Sequence, residues 1–264
     1  MIRPIAERES MQQFVGQVVA VEPLGSAGTI LWLTAPALAT MTSGQFVLAR
    51  CGDSFDPLLR RGLSLHHTAR SDGAVGFLVG SGKRWTDWLA ARRPGDGIDL
   101  IGPLGKGFSR EKTARRLLIV AEGLGIAPMV ALGEEAVAAG CEVRVVVEAP
   151  SAAALYPVER LPAAAEVVVF THDGTAGRRG RASEGVADLI GWADQAFLAG
   201  SRRLLADARA ALARRQLRTP VQVIVEERMA CGVGACLGCV VFTTEGPVPS
   251  CVAGPVFDLW ALTW

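Results

Sequence analysis

The sequence lacks an excess of charge of either sign. Its 264 residues include 27 Lys and Arg against 26 Asp and Glu, a formal net charge of +1. Without a net field the chain has nothing to attract nucleic acid or an anionic membrane at long range, so we expect neither as a partner. Partners must instead be recognised by local chemistry.

The sequence also lacks an apolar leader and an uninterrupted membrane-length run. Charges at Arg3, Glu7 and Arg8 fall where a signal peptide needs its apolar core, so we expect a cytoplasmic protein. The longest uncharged run, residues 23–49, is divided by Pro and Gly into pieces of strand length. No transmembrane helix is therefore predicted.

Half of the residues are apolar, which is enough to build sizeable cores. In the first part of the chain they form short runs separated by turn residues, a spacing typical of an all-β barrel. We predict strands at residues 14–21, 29–34, 45–50, 62–66, 75–79 and 98–101.

The pattern of apolar residues changes after Arg116. The apolar run 117–121, a Gly-rich turn, the Ala-rich stretch 127–140 and the strand 143–147 give a strand, helix, strand order that predicts a parallel sheet. Segments 166–170, 196–199 and 203–215 continue it. We expect a β-barrel domain at 11–110, an α/β nucleotide-binding domain at 111–220 and a small module at 221–264.

Four cysteines in the last segment have the spacing of an iron–sulfur site. Four residues separate Cys231 from Cys236, two separate Cys236 from Cys239, and eleven separate Cys239 from Cys251. This is the plant-type [2Fe-2S] pattern, and the intervening glycines 232, 234 and 238 would let the backbone approach the sulfurs. The alternative is structural zinc, which usually takes two C-x2-C pairs where this loop has one.

The other two cysteines, Cys51 and Cys141, stand alone in strand-like contexts. A small buried thiol is expected there rather than a ligand. A disulfide framework is not expected in a chain of this size without a leader.

Three segments have the chemistry of phosphate binding. The guanidinium of Arg61 could bind a pyrophosphate, and Gly62 would let a flat ring approach the backbone. Gly82 and Lys83 precede a predicted helix at 85–91, where free N–H groups could meet a phosphate. The turn at Gly123 and Gly125 follows an apolar strand and opens a helix, the position of a dinucleotide phosphate.

With these parts in this order, the whole chain resembles the electron-transfer subunits of bacterial dihydroorotate dehydrogenase type B, within the ferredoxin reductase family. The resemblance rests on residues 227–239 with 251–257, on Arg61-Gly62-Leu63-Ser64, and on Gly102-Pro103-Leu104-Gly105-x-Gly107-Phe108. It implies a fold of a β-barrel FAD domain, an α/β nucleotide-binding domain and a small C-terminal [2Fe-2S] module.

The resemblance also implies the binding residues. The FAD contacts would fall on Arg61, Gly62, Leu63, Ser64, Val75, Gly76, Phe77, Gly82 and Lys83. NAD would lie at Gly123 and Gly125, and the cluster ligands would be Cys231, Cys236, Cys239 and Cys251. The chain departs from the family at Phe77 and Lys83 among the FAD contacts, at Glu122, where a glycine is usual, and at Ala199-Gly200-Ser201, where relatives have Cys-Gly-Pro.

The implied function is an electron relay in pyrimidine (UMP) biosynthesis. FMN in a separate catalytic subunit takes electrons from dihydroorotate, and they cross the [2Fe-2S] cluster to FAD, which reduces NAD+. Two such chains and two catalytic subunits would form the complex. No catalytic residue for dihydroorotate is expected here, and His66, His67 and His172 are interpreted as surface or flavin-edge residues. The alternatives are a cluster and FAD reductase subunit of another oxidoreductase, or a subunit whose NAD site has decayed.

The chain ends in an apolar tail, residues 256–264, which contains Trp260 and Trp264. Aromatic residues of this kind anchor interfaces, so we predict that the tail docks on the partner subunit. The alternative is that both tryptophans pack back on the nucleotide domain.

Overall fold

The computed structural model describes residues 11–52 and 56–263. Within these residues the first domain is a closed antiparallel barrel of six strands with the order β1-β2-β5-β4-β3-β6. Helix α1, Arg84–Ala90, lies between the last two strands in sequence. The strands are β1 Gln12–Pro23, β2 Thr29–Thr34, β3 Phe46–Ala49, β4 Arg61–His67, β5 Val75–Val79 and β6 Gly97–Leu104.

Alternation along the strands builds the barrel core. On β4, Leu63 and Leu65 point inward and are buried, whereas Gly62 before them is exposed and Ser64 between them is half-buried. The predicted all-β barrel is confirmed, and each predicted strand matches an observed one within a few residues at its ends.

The second domain is a sheet with the order β10-β9-β8-β7-β11-β12-β15, parallel except for β15, as far as the chain is described. The predicted parallel sheet with crossover helices is confirmed. Its elements are β7 Arg116–Glu122, α2 Ala127–Ala138, β8 Glu142–Ala149, β9 Glu166–Thr171, β10 Arg178–Arg179, α3 Ala182–Leu189, β11 Gln195–Ala199, α4 Arg202–Arg214 and β12 Val221–Ile224, with β15 Val256–Asp258.

Residues after β12 form a cysteine-rich loop, the hairpin of β13 Val240–Thr243 and β14 Gly246–Pro249, and the short helix α5 Ser250–Ala253. Both β12 and β15 lie within the predicted segment 221–264 yet belong to the large sheet. The small module is therefore continuous with the nucleotide domain. The limits 11–110, 111–220 and 221–264 remain predictions.

Strand β4 of the barrel packs on helix α2 of the nucleotide domain through a buried histidine. His66 is fully buried, with Nδ1 2.8 Å from the carbonyl oxygen of Ala127 and Nε2 3.0 Å from the hydroxyl of Tyr156. The interpretation of His66 as a surface residue is therefore wrong, because β4 turns this face toward the other domain. Beside it, His67 Nδ1 lies 2.6 Å from Glu134 on α2.

The C-terminal tail packs on its own domain. Leu259 and Leu262 are fully buried, the Leu262 carbonyl accepts a hydrogen bond from Arg209 on α4, and the Arg209 guanidinium covers the Trp260 ring at 5.3 Å. Leu259, Trp260 and Leu262 therefore pack on the nucleotide domain, as the alternative has it for Trp260, while docking of the tail on the partner subunit stays a prediction. Trp264 lies outside the described residues.

Among the residues that the structure describes, no helix has the length and apolar character needed to cross a membrane.

Candidate cofactor sites

The four predicted cluster ligands lie on one loop and the helix that follows it. Cys231, Cys236 and Cys239 lie on the loop after β12, and Cys251 lies on helix α5. Cys236 is exposed, whereas Cys239 and Cys251 are buried. The loop therefore has one solvent-facing edge and one edge against the protein.

The four thiols form two pairs. Beside the effect of burial, the Cys236 side chain lowers the pKa of Cys231, and the Cys239 side chain raises the pKa of Cys251. Within the described residues, no three Cys, His, Asp or Glu side chains are close enough to hold a single metal ion. Two irons ligated in pairs fit this arrangement, whereas zinc needs all four thiolates around one point.

Backbone N–H groups point at the sulfurs. Cys231 Sγ accepts from the N–H groups of Val233 at 3.4 Å and Cys236 at 3.5 Å, and Cys236 Sγ accepts from Gly238 at 3.5 Å. Although burial raises the pKa of Cys231, these donors outweigh it and lower the pKa to about 6. For Cys251 burial, reinforced by Cys239, raises the pKa to about 12.

Two loop glycines permit close packing. Gly232 has φ +70°, and a Cβ there would lie 2.7 Å from Leu48 Cδ1 and 3.0 Å from Leu104 Cδ1. At Gly234, with φ +79°, a Cβ would lie 2.6 Å from the Val252 side chain. Side chains at either position would strain the backbone; at Gly232 the loop would be pushed away from the barrel, and at Gly234 away from α5.

The cysteine loop packs directly on the barrel. Cys239 and Cys251 share an apolar cluster with Phe46, Leu48 and Leu104 of strands β3 and β6. On β3, Phe46 pairs with Ser64 of β4, the last residue of the predicted FAD segment. One strand thus separates the buried pair of cysteines from that segment.

The segment Gly102 to Phe108 joins the barrel to the module. A Cβ on Gly105, at φ +75°, would lie 2.5 Å from Pro255 Cδ, and the N–H of Lys106 donates to the Gly254 carbonyl at 2.6 Å. The sequence marks this segment only through the family resemblance. The structure gives the physical reason, which is its close approach to the chain after Cys251.

Arg61 stands at the start of β4 with an unsatisfied nitrogen. Its Nε is buried and has no hydrogen-bond partner among the described residues, whereas neighbouring Arg60 is held by Asp99 at 2.6 Å. A buried donor without an acceptor is costly, so an anionic group of a ligand would be favoured there. Gly62 is exposed and Ser64 is half-buried beside it.

The remaining predicted FAD residues divide into two groups. Leu63, Val75 and Phe77 pack into the barrel core, so their backbones rather than their side chains face a ligand. Gly76 lies under the stacked rings of Trp32 and His67, where a Cβ would be 3.3 Å and 3.1 Å from these side chains. Their role in FAD binding stays a prediction.

The loop before α1 is open to solvent and meets the nucleotide turn. Gly82 and Lys83 are exposed, and nothing lies within 4 Å of a Cβ on Gly82. A Cβ on Gly80 would be 2.6 Å from Leu124 Cδ1, so this loop touches the turn after β7. The loop that is predicted to bind phosphate in one domain and the turn of the other domain are therefore neighbours.

That turn forms one wall of a cleft of about 420 Å³. The Gly125 backbone crosses so close to the end of β11 that a Cβ would lie 2.4 Å from the Ala199 carbonyl oxygen. Gly123 is in the left-handed region at φ +55° with open space around it. The cleft is lined by Glu122, Leu124, Gly125, Gly200, Ser201, Arg202, Leu205, Ile224, Val225 and Glu226.

Two of the departures from the family pattern, Glu122 and Ser201, are hydrogen-bonded to each other. Glu122 Oε2 accepts from the Ser201 N–H at 2.8 Å and from the Ser201 hydroxyl at 2.5 Å. At the far side of the cleft the enclosing walls raise the pKa of Glu226, and nearby Lys83 offsets part of that shift. Glu226 itself is exposed to solvent.

The sequence did not indicate Glu148 as a candidate functional residue. Glu148 at the end of β8 is 4% exposed and accepts from the Ala182 N–H at 2.6 Å. His172 and Arg181 also contact its carboxylate. The arginine-containing loop 171–181 is thus partly fixed by a buried acid.

The two cysteines outside the cluster loop, Cys51 and Cys141, are buried as predicted.

Comparisons with known proteins identify the same regions. Residues 226–263 match the family model of the iron-sulfur cluster binding domain of dihydroorotate dehydrogenase B. The electron transfer subunit of dihydroorotate dehydrogenase B (NAD(+)) from Desulforamulus reducens is 34% identical over 259 residues, 95% of this chain and 98% of the relative. That of Bacillus caldolyticus is 36% identical over 219 residues, 81% of this chain and 84% of the relative.

Solved structures agree on the fold. A chain of the NADH-dependent reduced ferredoxin-NADP oxidoreductase superposes with a TM-score of 0.81 at 23% identity, covering 94% of this chain and 90% of that one. The ferredoxin reductase of carbazole 1,9a-dioxygenase superposes with a TM-score of 0.67 at 22% identity, covering 78% and 68%. The expected combination of barrel, α/β domain and C-terminal iron–sulfur region is confirmed.

Proposed function

This chain belongs to the family of electron transfer subunits of dihydroorotate dehydrogenase B, and from that premise we propose the path that electrons take through it. They enter from an FMN-containing catalytic subunit, pass a [2Fe-2S] cluster held by the four cysteines, and reach NAD+ by way of FAD. When bound, the cluster would carry single electrons, and FAD, once reduced by two of them with uptake of protons, would supply the hydride to NAD+. The protein binds, orients and shields these groups.

The observation that carries this proposal is the contact between the cysteine loop and the barrel. Cys239 and Cys251 pack on Phe46, and Phe46 lies opposite Ser64 in the β3–β4 ladder. A cluster held on this loop and a flavin held on β4 would be separated by one strand of packed protein. Such proximity is what transfer between two bound redox groups requires.

The residues have separate tasks in this proposal. The four cysteines ligate two irons in pairs, and the N–H groups around Cys231 and Cys236 stabilise the charge on their sulfurs. Arg61 and Lys83 bind the FAD phosphates, with Gly62, Ser64 and Gly82 giving the ring and phosphates access. Gly123 and Gly125 form the NAD turn.

Metal analysis tests the cluster. The purified protein should contain two irons and two acid-labile sulfides per chain, because the loop supplies four thiolates in two pairs. Cys236→Ser should lose or strongly weaken the visible absorption of the cluster. Cys141→Ser is the matched control and should keep it, since this thiol is buried away from the loop. Zinc in place of iron would refute the assignment.

We propose that the catalytic subunit docks where the cluster reaches the surface, forming a complex of two plus two chains. Cys236 and Leu237 are exposed there, Leu237 with 47% of its surface accessible. Leu237→Asp should weaken co-elution with the catalytic subunit in size-exclusion chromatography. Aspartate tolerates the left-handed φ of +56° at this position, so the loop should fold.

Val19→Asp is the control for that experiment, because Val19 is an exposed apolar residue at the β1 bulge, outside the cysteine loop. It should leave co-elution unchanged. Equal weakening by both substitutions would contradict docking at the loop, and separate elution of the unsubstituted chains at micromolar concentration would contradict the complex itself.

A further inference from the structure

Glu122 occupies the point of the sheet where a ligand is expected. It ends β7, and the sheet order β8-β7-β11 places it where the chain changes direction across the sheet. Ligands of open α/β sheets bind in the crevice beyond the carboxyl ends of the strands at this point. Glu122 lines the cleft found there.

The carboxylate is held in place by the surrounding backbone. Besides the two hydrogen bonds from Ser201, its Cβ and Oε2 pack over Gly200, where an added Cβ would lie 2.7 Å and 2.9 Å away. Ser201 Oγ also accepts from the Leu204 N–H at 3.3 Å and so caps α4. Glu122 is therefore fixed at the cleft wall and cannot swing far when a ligand enters.

Two carboxylates, Glu122 and Glu226, face the cleft from two walls. Lys83 lies near Glu226, whereas the arginines in or near the cleft have carboxylate partners of their own. These pairs are Arg202 with Glu227 at 2.8 Å, Arg203 with Asp207 at 3.8 Å, and Arg181 with Glu148 at 3.4 Å.

We propose that Glu122 is a specificity-determining residue that makes this cleft favour the oxidised, pyridinium form of the nicotinamide dinucleotide over the reduced form. The inference rests on the proposed function. The two forms have the same phosphates and riboses, but the oxidised ring carries one positive charge and the reduced ring none. Repulsion between carboxylates and phosphates is common to both and cancels in their ratio.

The ring must come close to Glu122 for this charge to matter. A hydride acceptor has to contact the flavin. The barrel loop that contains Gly80 and the predicted FAD residues Gly82 and Lys83 contacts Leu124, which lines the cleft. Leu124 and Glu122 are two residues apart on the same turn. A fixed carboxylate at that end of the cleft therefore assists NAD+ binding and the release of NADH, which favours electron flow toward NAD+.

Calorimetric binding to the holoprotein tests the proposal. The ligands are NAD+ and 1,4,5,6-tetrahydro-NAD, which has a neutral ring but cannot donate a hydride to FAD. The unsubstituted protein should bind NAD+ more tightly. Glu122→Gln keeps the shape and an acceptor for Ser201 but removes the charge, so the ratio of the two dissociation constants should fall about fivefold.

A control variant separates the charge of Glu122 from the net charge of the protein. Glu142→Gln removes a carboxylate at the start of β8, at the opposite end of the strands from the cleft, and should leave the ratio unchanged. An unchanged ratio in Glu122→Gln, or an equal change in Glu142→Gln, would overturn the inference.

A measurement on the unsubstituted protein covers the case in which Glu122→Gln does not fold. Raising the ionic strength from about 0.01 M to about 1 M shortens the Debye length from ~30 Å to ~3 Å, so the preference for NAD+ should shrink. A preference that does not respond to salt would overturn the proposal. If neither ligand binds, the NAD step of the proposed function fails, an outcome distinct from binding with an unchanged ratio.

Discussion

The buried histidine between the two domains predicts a specific acid sensitivity. The Ala127 carbonyl can only accept, so His66 Nδ1 carries the hydrogen and Nε2 accepts from Tyr156. A second proton would place a charge in a fully buried site. Burial first, and the neighbouring His67 next, lower the pKa of His66 from 6.5 to about 3.

The size of the effect follows from linkage. Because the folded pKa is below the unfolded value, the unfolded state binds more protons, so this histidine makes stability rise with pH between about 3 and 6.5. At pH 5 the loss relative to neutral pH is roughly 1.5 pH units times 1.36 kcal/mol, or about 2 kcal/mol. For a chain of this size that corresponds to a fall in Tm of about 4–8 °C.

Thermal unfolding followed by circular dichroism at pH 7 and pH 5 measures this loss of stability. His66→Gln keeps a donor and an acceptor but has no titrating ring. The fall in Tm from pH 7 to pH 5 should therefore be about 4–8 °C smaller in His66→Gln than in the unsubstituted protein. Tyr156→Phe keeps the buried ring and should keep the acid sensitivity. Equal pH dependence in His66→Gln and the unsubstituted protein would refute the reasoning.

Three further substitutions test separate parts of the structure. Arg61→Ala should weaken FAD binding about ten- to hundredfold in a fluorescence titration, because it removes a charge-assisted contact worth roughly 1.5–3 kcal/mol; unchanged affinity would remove Arg61 from the site. Gly125→Ala should abolish NAD+ binding in calorimetry while the flavin and cluster absorption persist, since the methyl group would meet the Ala199 carbonyl at 2.4 Å. Gly105→Ala should make the cluster easier to lose on chelation, because the methyl group would displace Pro255 from the barrel.

Local patterns in the sequence were sufficient for most elements. The barrel strands are short apolar runs separated by turn residues, and the run 117–121 is continuously apolar because β7 is central in the sheet and covered on both faces. Helix α3 was not predicted, because its eight residues contain few large apolar side chains. Strand β10 has two residues and is defined only by its pairing with β9.

Features that depend on long-range contacts could not be predicted. The cysteine spacing predicts a ligand set, but nothing local indicates that Cys239 packs on Phe46 of the barrel. Glu122 and Ser201 stand out as two separate departures from the family pattern, whereas folding brings them together across 79 positions. His66 fails as a predicted surface residue for the same reason, since its partners come from another domain.

Anaerobic titration of the oxidised holoprotein with NADH tests the central claim, that one chain connects nicotinamide, flavin and cluster. NADH should bleach the flavin absorption and then produce the electron paramagnetic resonance signal of a reduced [2Fe-2S] cluster in the same chains. A protein that contains both FAD and cluster but stays oxidised in excess NADH would contradict the account and favour a subunit whose nicotinamide site no longer works.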